Sequence, residues 1–182
     1  RQLGYKLAAL LAYALQLPPG CRFVLFGDDV EQDAEVFTLF REVLEGLKGR
    51  KLRSRLRAGD VHRHDAETVL GLAESLSPRS EPVTRIFIKQ SRERSRGGHP
   101  RVVAARSYLT IAAVAAKMDL MRADGVEAVR SELISLGARQ PELEEAMRHA
   151  ARVPVMSSEP FPLESLAGLV DPLRRARLTS SR

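Results

Sequence analysis

The stretch Phe23-Val24-Leu25-Phe26-Gly27-Asp28-Asp29-Val30-Glu31-Gln32-Asp33 decides how the rest of the chain is interpreted. Four apolar strand formers lead to a glycine, and four acidic residues then fall within the six positions 28–33. A helical pattern follows at once, so the stretch predicts a strand, a short acidic loop and a helix. In open parallel α/β sheets, ligands bind beyond the carboxyl ends of the strands. We therefore expect the acids to face solvent and a substrate, and not the core.

The composition is that of a globular protein. The 182 residues are 44% hydrophobic and 29% charged, which suits one core, or one core with a small helical annex. The net charge of +6 favours contact with an anionic partner. The single Cys21 excludes an internal disulfide and a cysteine-rich zinc site, and it favours a reducing, cytoplasmic location. We find no uninterrupted apolar run long enough to span a bilayer.

Hydrophobic spacing predicts alternating helices and strands over the first half of the chain. Helices are expected at about 3–15, 31–47 and 66–76, and strands at 22–26 and 83–88. Both strands are almost continuously apolar, as parallel strands covered on two faces are, so the sequence predicts an α/β fold with a parallel sheet. Further along, helices are expected at 103–121, 126–135 and 141–152, followed by a partly extended tail at 154–182.

The acidic loop has two interpretations. As a metal site, it would hold Mg²⁺, which prefers oxygen ligands and is usually bound by one or two carboxylates, water and a substrate phosphate. As a helix start, it would place Asp29 and Gln32 at the N-cap and N3 positions of a capping box. Capping explains Asp29 well. It does not explain Asp28, which follows Gly27 directly.

Lys6 gives a second indication of chemistry. It lies near the start of the first predicted helix, where the helix dipole disfavours a cation. A lysine at this place could neutralise a carboxylate nucleophile or an anionic intermediate beside a metal. The alternative is an ordinary solvated lysine, and a helix that begins further upstream would make the position of Lys6 unremarkable.

The order of these features resembles the third and fourth motifs of the haloacid dehalogenase (HAD) superfamily. Gly4-Tyr5-Lys6-Leu7 is similar to the lysine motif, and the run from Phe26 through Asp28 and Asp33 to Phe37 is similar to the acidic motif. Within the superfamily, the order Gly-Asp, Glu, Asp, Glu and an aromatic residue is most similar to phosphatidate phosphatases of the lipin and actin-patch type. The resemblance covers about residues 5–88.

The resemblance implies that residues 1–100 are the C-terminal half of a Rossmannoid HAD-like domain, followed by a helical appendage at 101–153 and the tail at 154–182. It implies a hydrolase, a Mg²⁺-dependent phosphatase that forms an aspartyl-phosphate from a phosphomonoester. Asp28 would be the principal Mg²⁺ ligand, Asp33 a direct ligand or a residue behind it, and Lys6 the partner of the nucleophile. Gly27 and Asp29 would be auxiliary residues.

One departure from the family pattern is serious. The family nucleophile lies in an Asp-x-Asp motif on an upstream strand, and no Asp-x-Asp occurs in the 182 residues. The chain opens at Arg1, almost directly in a helical pattern. We therefore expect it to be a piece of a longer protein that supplies the nucleophile, and we expect the piece to be inactive by itself.

Basic residues suggest further contacts. Lys89, at the end of the second strand, could point towards the same crevice as Asp28, and the loop at 90–100 is expected to form a mobile lid. A dense basic span at 48–57 is usually a solvated surface, but it would also suit a non-catalytic interaction module that binds an anionic partner. The expected partners are a phosphorylated small molecule or a lipid head group. Nucleic acid is not expected, because few aromatic residues accompany the basic span.

Overall fold

The computed structural model describes residues 2–30, 32–91 and 102–153, which form an α/β fold. Its elements in chain order are α1 (Gln2–Gln16), β1 (Phe23–Asp28), α2 (Asp33–Leu44), α3 (Gly49–Ala58), α4 (Arg63–Ser75), β2 (Val83–Lys89), β3 (Val102–Ala105), α5 (Tyr108–Lys117), α6 (Ala123–Ser135) and α7 (Gln140–Arg152). The predicted tail at 154–182 and the arginines of the predicted lid lie outside the described residues.

The three strands form one parallel sheet in the order β1-β2-β3. In the register, Asp28 at the end of β1 lies opposite Lys89, and Lys89 lies opposite Ala105 at the end of β3. The three strands therefore end together, at what we call the carboxyl edge. The predicted α/β fold with a parallel sheet is confirmed.

Each face of the sheet buries its own set of side chains. One face packs α1 to α4 against Phe23, Leu25, Ile86 and Ile88. The opposite face packs α5 and the end of α7 against Phe87, Val103 and Ala105. This two-sided burial explains why both long strands are almost continuously apolar.

Two elements differ from the sequence-based expectation. Val102–Ala105, which the apolar pattern placed at the start of a long helix, is β3, and the helix begins only after Ser107 accepts a hydrogen bond from the Leu109 amide. The basic span contains α3, whose only buried side chains are Leu52 and Leu56. In both places the local pattern was ambiguous, because four apolar residues or one leucine pair suit more than one structure. The domain division at residue 100 stays a prediction, and β3 lies beyond it.

Contacts at both ends hold α1 in place. At its C-terminal end, the Arg79 guanidinium donates to the Ala14 carbonyl over 2.8 Å and lies 6.0 Å from the centroid of the Phe23 ring. Near its N-terminal end, Gly4 packs against the start of α4: a Cβ built on Gly4 would lie 2.5 Å from Val61 Cγ1 and 2.7 Å from Asp65 Cβ. Glycine is thus required at position 4 for the close approach of the two helices.

We predict that Gly4→Ala lowers the free energy of unfolding by about 1–3 kcal/mol, because the added methyl overpacks the contact between α1 and α4. Gly71→Ala is the matched control, since Gly71 lies within α4 and a Cβ there would meet nothing within 4 Å. The control should raise stability by up to about 1 kcal/mol through helix propensity. Urea denaturation followed by circular dichroism measures both changes, and equal effects would contradict the packing assignment.

Candidate functional site

The acidic loop lies at the carboxyl edge of the sheet, as its sequence predicts. β1 ends at Asp28 and α2 begins at Asp33, so the two acids are separated by a single short turn. Gln32, the last residue of this turn, has a left-handed backbone with φ of 63° and ψ of 22°. Non-glycine residues with this geometry are uncommon and are costly without support from their surroundings.

Asp33 is the centre of the hydrogen bonding at this edge. Its Oδ1 accepts from Lys6 Nζ over 2.6 Å, and its Oδ2 accepts from the Asp28 backbone N–H over 3.1 Å. The Lys6 and Asp33 side chains are 26% and 13% exposed, so the ion pair is shielded from most of the solvent. One carboxylate therefore connects α1, the end of β1 and the start of α2.

Gly27 makes room for this carboxylate. A Cβ built on Gly27 would lie 2.6 Å from Asp33 Cβ and 2.8 Å from Phe37 Cε2, and it would collide with Asp33 Oδ2. The first turn of α2 thus lies directly on the backbone of β1. This contact explains why glycine stands at the end of the strand. Gly27 leaves space for the Asp33 side chain, and the backbone N–H of the next residue, Asp28, donates a hydrogen bond to the Asp33 carboxylate.

Asp28 and Asp29 have separate roles. Asp28 Oδ1 accepts from the Val30 N–H over 2.8 Å, which stabilises the turn that follows the strand. Asp29 Oδ1 accepts from the Ser91 N–H over 2.8 Å, and the Asp29 amide donates to the Lys89 carbonyl over 3.1 Å. Asp29 therefore joins the chain leaving β1 to the chain leaving β2.

The predicted capping box is wrong. α2 starts two residues later than the sequence suggested, Gln32 is its N-cap, and the Gln32 side chain makes no cap hydrogen bond. Asp29 is not a helix cap, because its carboxylate is used across the edge by Ser91. The cause is the left-handed backbone of Gln32, after which the first helical residue is Asp33.

Lys89 lies beside the acids in the register but is directed to another element. Its Cα is the partner of Asp28, while its Nζ lies 5.7 Å from the centroid of the Tyr108 ring at the start of α5, within cation–π range. Beside it, Phe26 is 53% exposed and stacks on the buried Phe87 ring at 4.9 Å. The exposure of Phe26 was not predicted. The apolar pattern of β1 suggested that all of its side chains are buried, and nothing in the sequence distinguishes Phe26 from its buried neighbours.

The donor set at this edge suits a hard divalent cation. Mg²⁺ is commonly held by one or two carboxylates together with water and substrate phosphate, and Asp28 and Asp33 supply carboxylates of this kind. Both Asp33 oxygens accept hydrogen bonds, from Lys6 and from the Asp28 amide, and Asp28 Oδ1 accepts one from the Val30 N–H, so a cation at this edge would share these carboxylates with the donors already bound to them. Among residues 2–30, 32–91 and 102–153, no group of three or more His, Cys, Asp or Glu side chains is arranged around a common metal position.

No protein-family model, curated protein or solved structure matches the chain. Within the described part of the chain, no helix is both long enough and apolar enough to cross a bilayer.

We predict that the Lys6–Asp33 ion pair contributes about 1 kcal/mol of coupling free energy, since its side chains are only 26% and 13% exposed and the pair is therefore less screened by solvent than a surface pair. A double-mutant cycle of Lys6→Met and Asp33→Asn, measured by urea denaturation, gives this value. Arg53 and Glu67, an exposed pair at 3.1 Å between α3 and α4, form the control cycle. The control coupling should be a few tenths of a kcal/mol at most, and a site coupling no larger than this would contradict a central role for Asp33.

A second prediction concerns Gly27. Gly27→Ala should lower the free energy of unfolding by about 1–3 kcal/mol and displace Asp33 from Lys6, because the new methyl and the carboxylate require the same space. Gly20→Ala is the control, since a Cβ at Gly20 meets nothing within 4 Å. The Asp28 amide resonance in a ¹H–¹⁵N spectrum reports the hydrogen bond to Asp33, and it should shift only in the Gly27 variant.

Proposed function

We propose that this chain is the C-terminal part of a Mg²⁺-dependent HAD-like phosphatase that hydrolyses a phosphomonoester of a small molecule or a lipid head group. The observation that carries the proposal is the connection from Lys6 through Asp33 to the Asp28 amide at the carboxyl edge. A lysine from the preceding helix and two acids that flank a strand-to-helix turn meet there, in the order that the resemblance to the superfamily implies.

Each residue has a separate task in this proposal. Asp28 would hold Mg²⁺, which when bound neutralises charge on the phosphate oxygens. Asp33 would keep the Lys6 ammonium and the end of β1 in position. Lys6 would place its positive charge next to the carboxylate nucleophile and the transferring phosphoryl group, where a preorganised charge lowers the barrier. Asp29, bound to the Ser91 amide, would join the end of β1 to the residues directly after β2.

The free edge of β1 supports a position for the missing nucleophile. In the described part of the chain, β1 pairs only with β2, so its other edge has no strand beside it. Phe23 to Phe26 contain no charge or proline that would protect an open edge from pairing with another strand. We infer that a parallel strand from outside these residues pairs with β1. That strand would end about 4.8 Å from Asp28, which is where an Asp-x-Asp motif would face the site.

The reaction in the complete protein would proceed in two steps. The nucleophilic aspartate attacks phosphorus, the bond from phosphorus to the ester oxygen breaks, and the leaving alkoxide takes a proton from the second aspartate of the motif. Water then attacks the phosphorus of the aspartyl-phosphate, and the second aspartate, now a base, accepts a proton of that water. The bond from phosphorus to the aspartate oxygen breaks, which releases inorganic phosphate and restores the nucleophile. Lys6 contributes charge stabilisation in both steps and transfers no proton.

The test uses the complete polypeptide and a generic phosphomonoester. We predict Mg²⁺-dependent hydrolysis that falls at least about a thousandfold in Asp28→Asn, because loss of the ligand removes the metal from the reacting phosphate. Asp29→Asn is the neighbouring control: an asparagine oxygen can still accept from the Ser91 N–H, so activity should change less than about tenfold. Equal activity in wild type and Asp28→Asn would refute the site.

A second measurement needs no catalysis. In calorimetric titration of the 182-residue chain, Mg²⁺ should bind to wild type and to Asp29→Asn but more weakly to Asp28→Asn. If the complete protein carried no Asp-x-Asp motif upstream, catalysis by this route would be excluded, whatever the outcome of the Mg²⁺ titration.

A further inference from the structure

The surface of α3 carries the densest positive charge in the described part of the chain. Eight of its ten residues are exposed, and five of these are basic. We call this surface the basic ridge; it consists of Arg50, Lys51, Arg53, Arg55 and Arg57. Lys48, just before the helix, does not belong to it, because Lys48 Nζ donates to the Leu76 carbonyl over 2.6 Å at the end of α4.

Two of the ridge arginines have acidic partners, one on each side. Arg55 lies 3.2 Å from Glu42 of α2, and Arg53 lies 3.1 Å from Glu67 of α4. Among the described residues, no carboxylate forms an ion pair with Arg50, Lys51 or Arg57. The crest of the ridge therefore keeps three uncompensated positive charges, and Arg50 and Arg57 lie about 10.5 Å apart along the helix axis.

The positive charge in the first turn of α3 is unfavourable, whereas Arg55 and Arg57 lie in the last turn, where the helix dipole favours cations. Arg50 and Lys51 lie in the first turn, which has no acidic residue, although the helix dipole there favours anions. Like charges also stand four residues apart at Lys51 and Arg55, which is unfavourable on a helix surface. Only Leu52 and Leu56 anchor the helix to the core. The first turn of α3 thus carries positive charge that nothing on the helix neutralises. An anionic partner would neutralise it, so this surface suits the binding of such a partner.

We propose that the basic ridge binds the surface of an anionic lipid bilayer. The apolar face of α3 is already buried, so the ridge can lie on the head groups without inserting side chains. Lipids diffuse within the bilayer, which lets acidic head groups collect under Arg50, Lys51 and Arg57 whatever their spacing. The exposed face offers no aromatic side chain for base stacking and no Asn or Gln for base edges, so a nucleic acid would be held through its phosphates alone.

The C-terminal end of the basic ridge lies next to α1. Gly59, directly after α3, lies against the start of α1: a Cβ on Gly59 would be 3.4 Å from Leu3 Cδ1. Lys6 lies three residues after Leu3 in α1, so α3 ends beside the helix that supplies the lysine of the candidate site. The bilayer contact itself does not depend on the proposed phosphatase activity.

The test is sedimentation of the 182-residue chain with vesicles at about 0.1 M salt. We expect binding to phosphatidylcholine vesicles that contain about one-third phosphatidylserine, and no binding to pure phosphatidylcholine. The variant Arg50→Gln/Lys51→Gln/Arg57→Gln should bind roughly 100-fold more weakly, at about a factor of five for each side chain. Its melting temperature should stay close to that of the wild type, since two unfavourable cations leave the first turn of α3 and one favourable cation leaves the last.

The matched control changes three exposed arginines elsewhere: Arg122→Gln/Arg148→Gln/Arg152→Gln lowers the net charge by the same amount. It should weaken vesicle binding by less than about fivefold. An equal loss in both triple variants would show that net charge alone drives binding, and it would overturn the proposal. Failure of the wild type to bind, or tighter binding to a random-sequence RNA duplex that is lost in the ridge variant, would overturn it as well. Neither result depends on the outcome for Asp28→Asn.

Discussion

The close contact between Asp33 and the backbone of β1 at Gly27 is the constraint on which the carboxyl edge depends. Because no side chain fits at position 27, the first turn of α2 can lie on the strand, and the Asp33 carboxylate can reach Lys6 and the Asp28 amide together. The same contact fixes the direction of α1, whose other end is held by Arg79 on Ala14 and Phe23. Helix α1 is thus tied at one end by an ion pair and at the other by a guanidinium.

The three aspartates at this edge have different hydrogen-bond partners. The Asp33 charge is neutralised by Lys6 and its oxygens are occupied, while Asp29 is bound to the Ser91 amide. Asp28 ends the strand, and its Oδ1 accepts a hydrogen bond from the Val30 N–H in the turn. Crowded carboxylates repel one another and are stabilised by a cation or by hydrogen bonds. At this edge, the Lys6 ammonium supplies the cation, and backbone N–H groups supply the hydrogen bonds.

The sequence predicted correctly those features that depend on neighbouring residues, and it missed those that depend on contacts between residues far apart in the chain. The continuous apolar runs of β1 and β2 identified two parallel strands correctly, because burial on both faces leaves a direct mark on composition. The role of Asp29 was wrong, since its partner Ser91 is 62 residues away, and a capping interpretation used only the residues next to it. The order of Lys6 and Asp33 suggested a common edge, but only the packing of α1 on α2 places the two side chains 2.6 Å apart. α3 was hidden because two leucines among five basic residues give a weak periodic pattern.

The distribution of charge separates the two proposed surfaces. The acids are gathered at the strand ends, where fixed N–H groups and one lysine hold them, whereas the basic ridge stands on a helix that two leucines attach to the core. Positive charge close to an acidic metal site would compete with the cation, but α3 supplies none of the residues that form hydrogen bonds at the carboxyl edge. At the same time, an anionic substrate would be attracted to the side of the domain on which α3 ends. A basic surface next to an acidic site, without overlapping it, is therefore compatible with both a bound cation and an anionic partner.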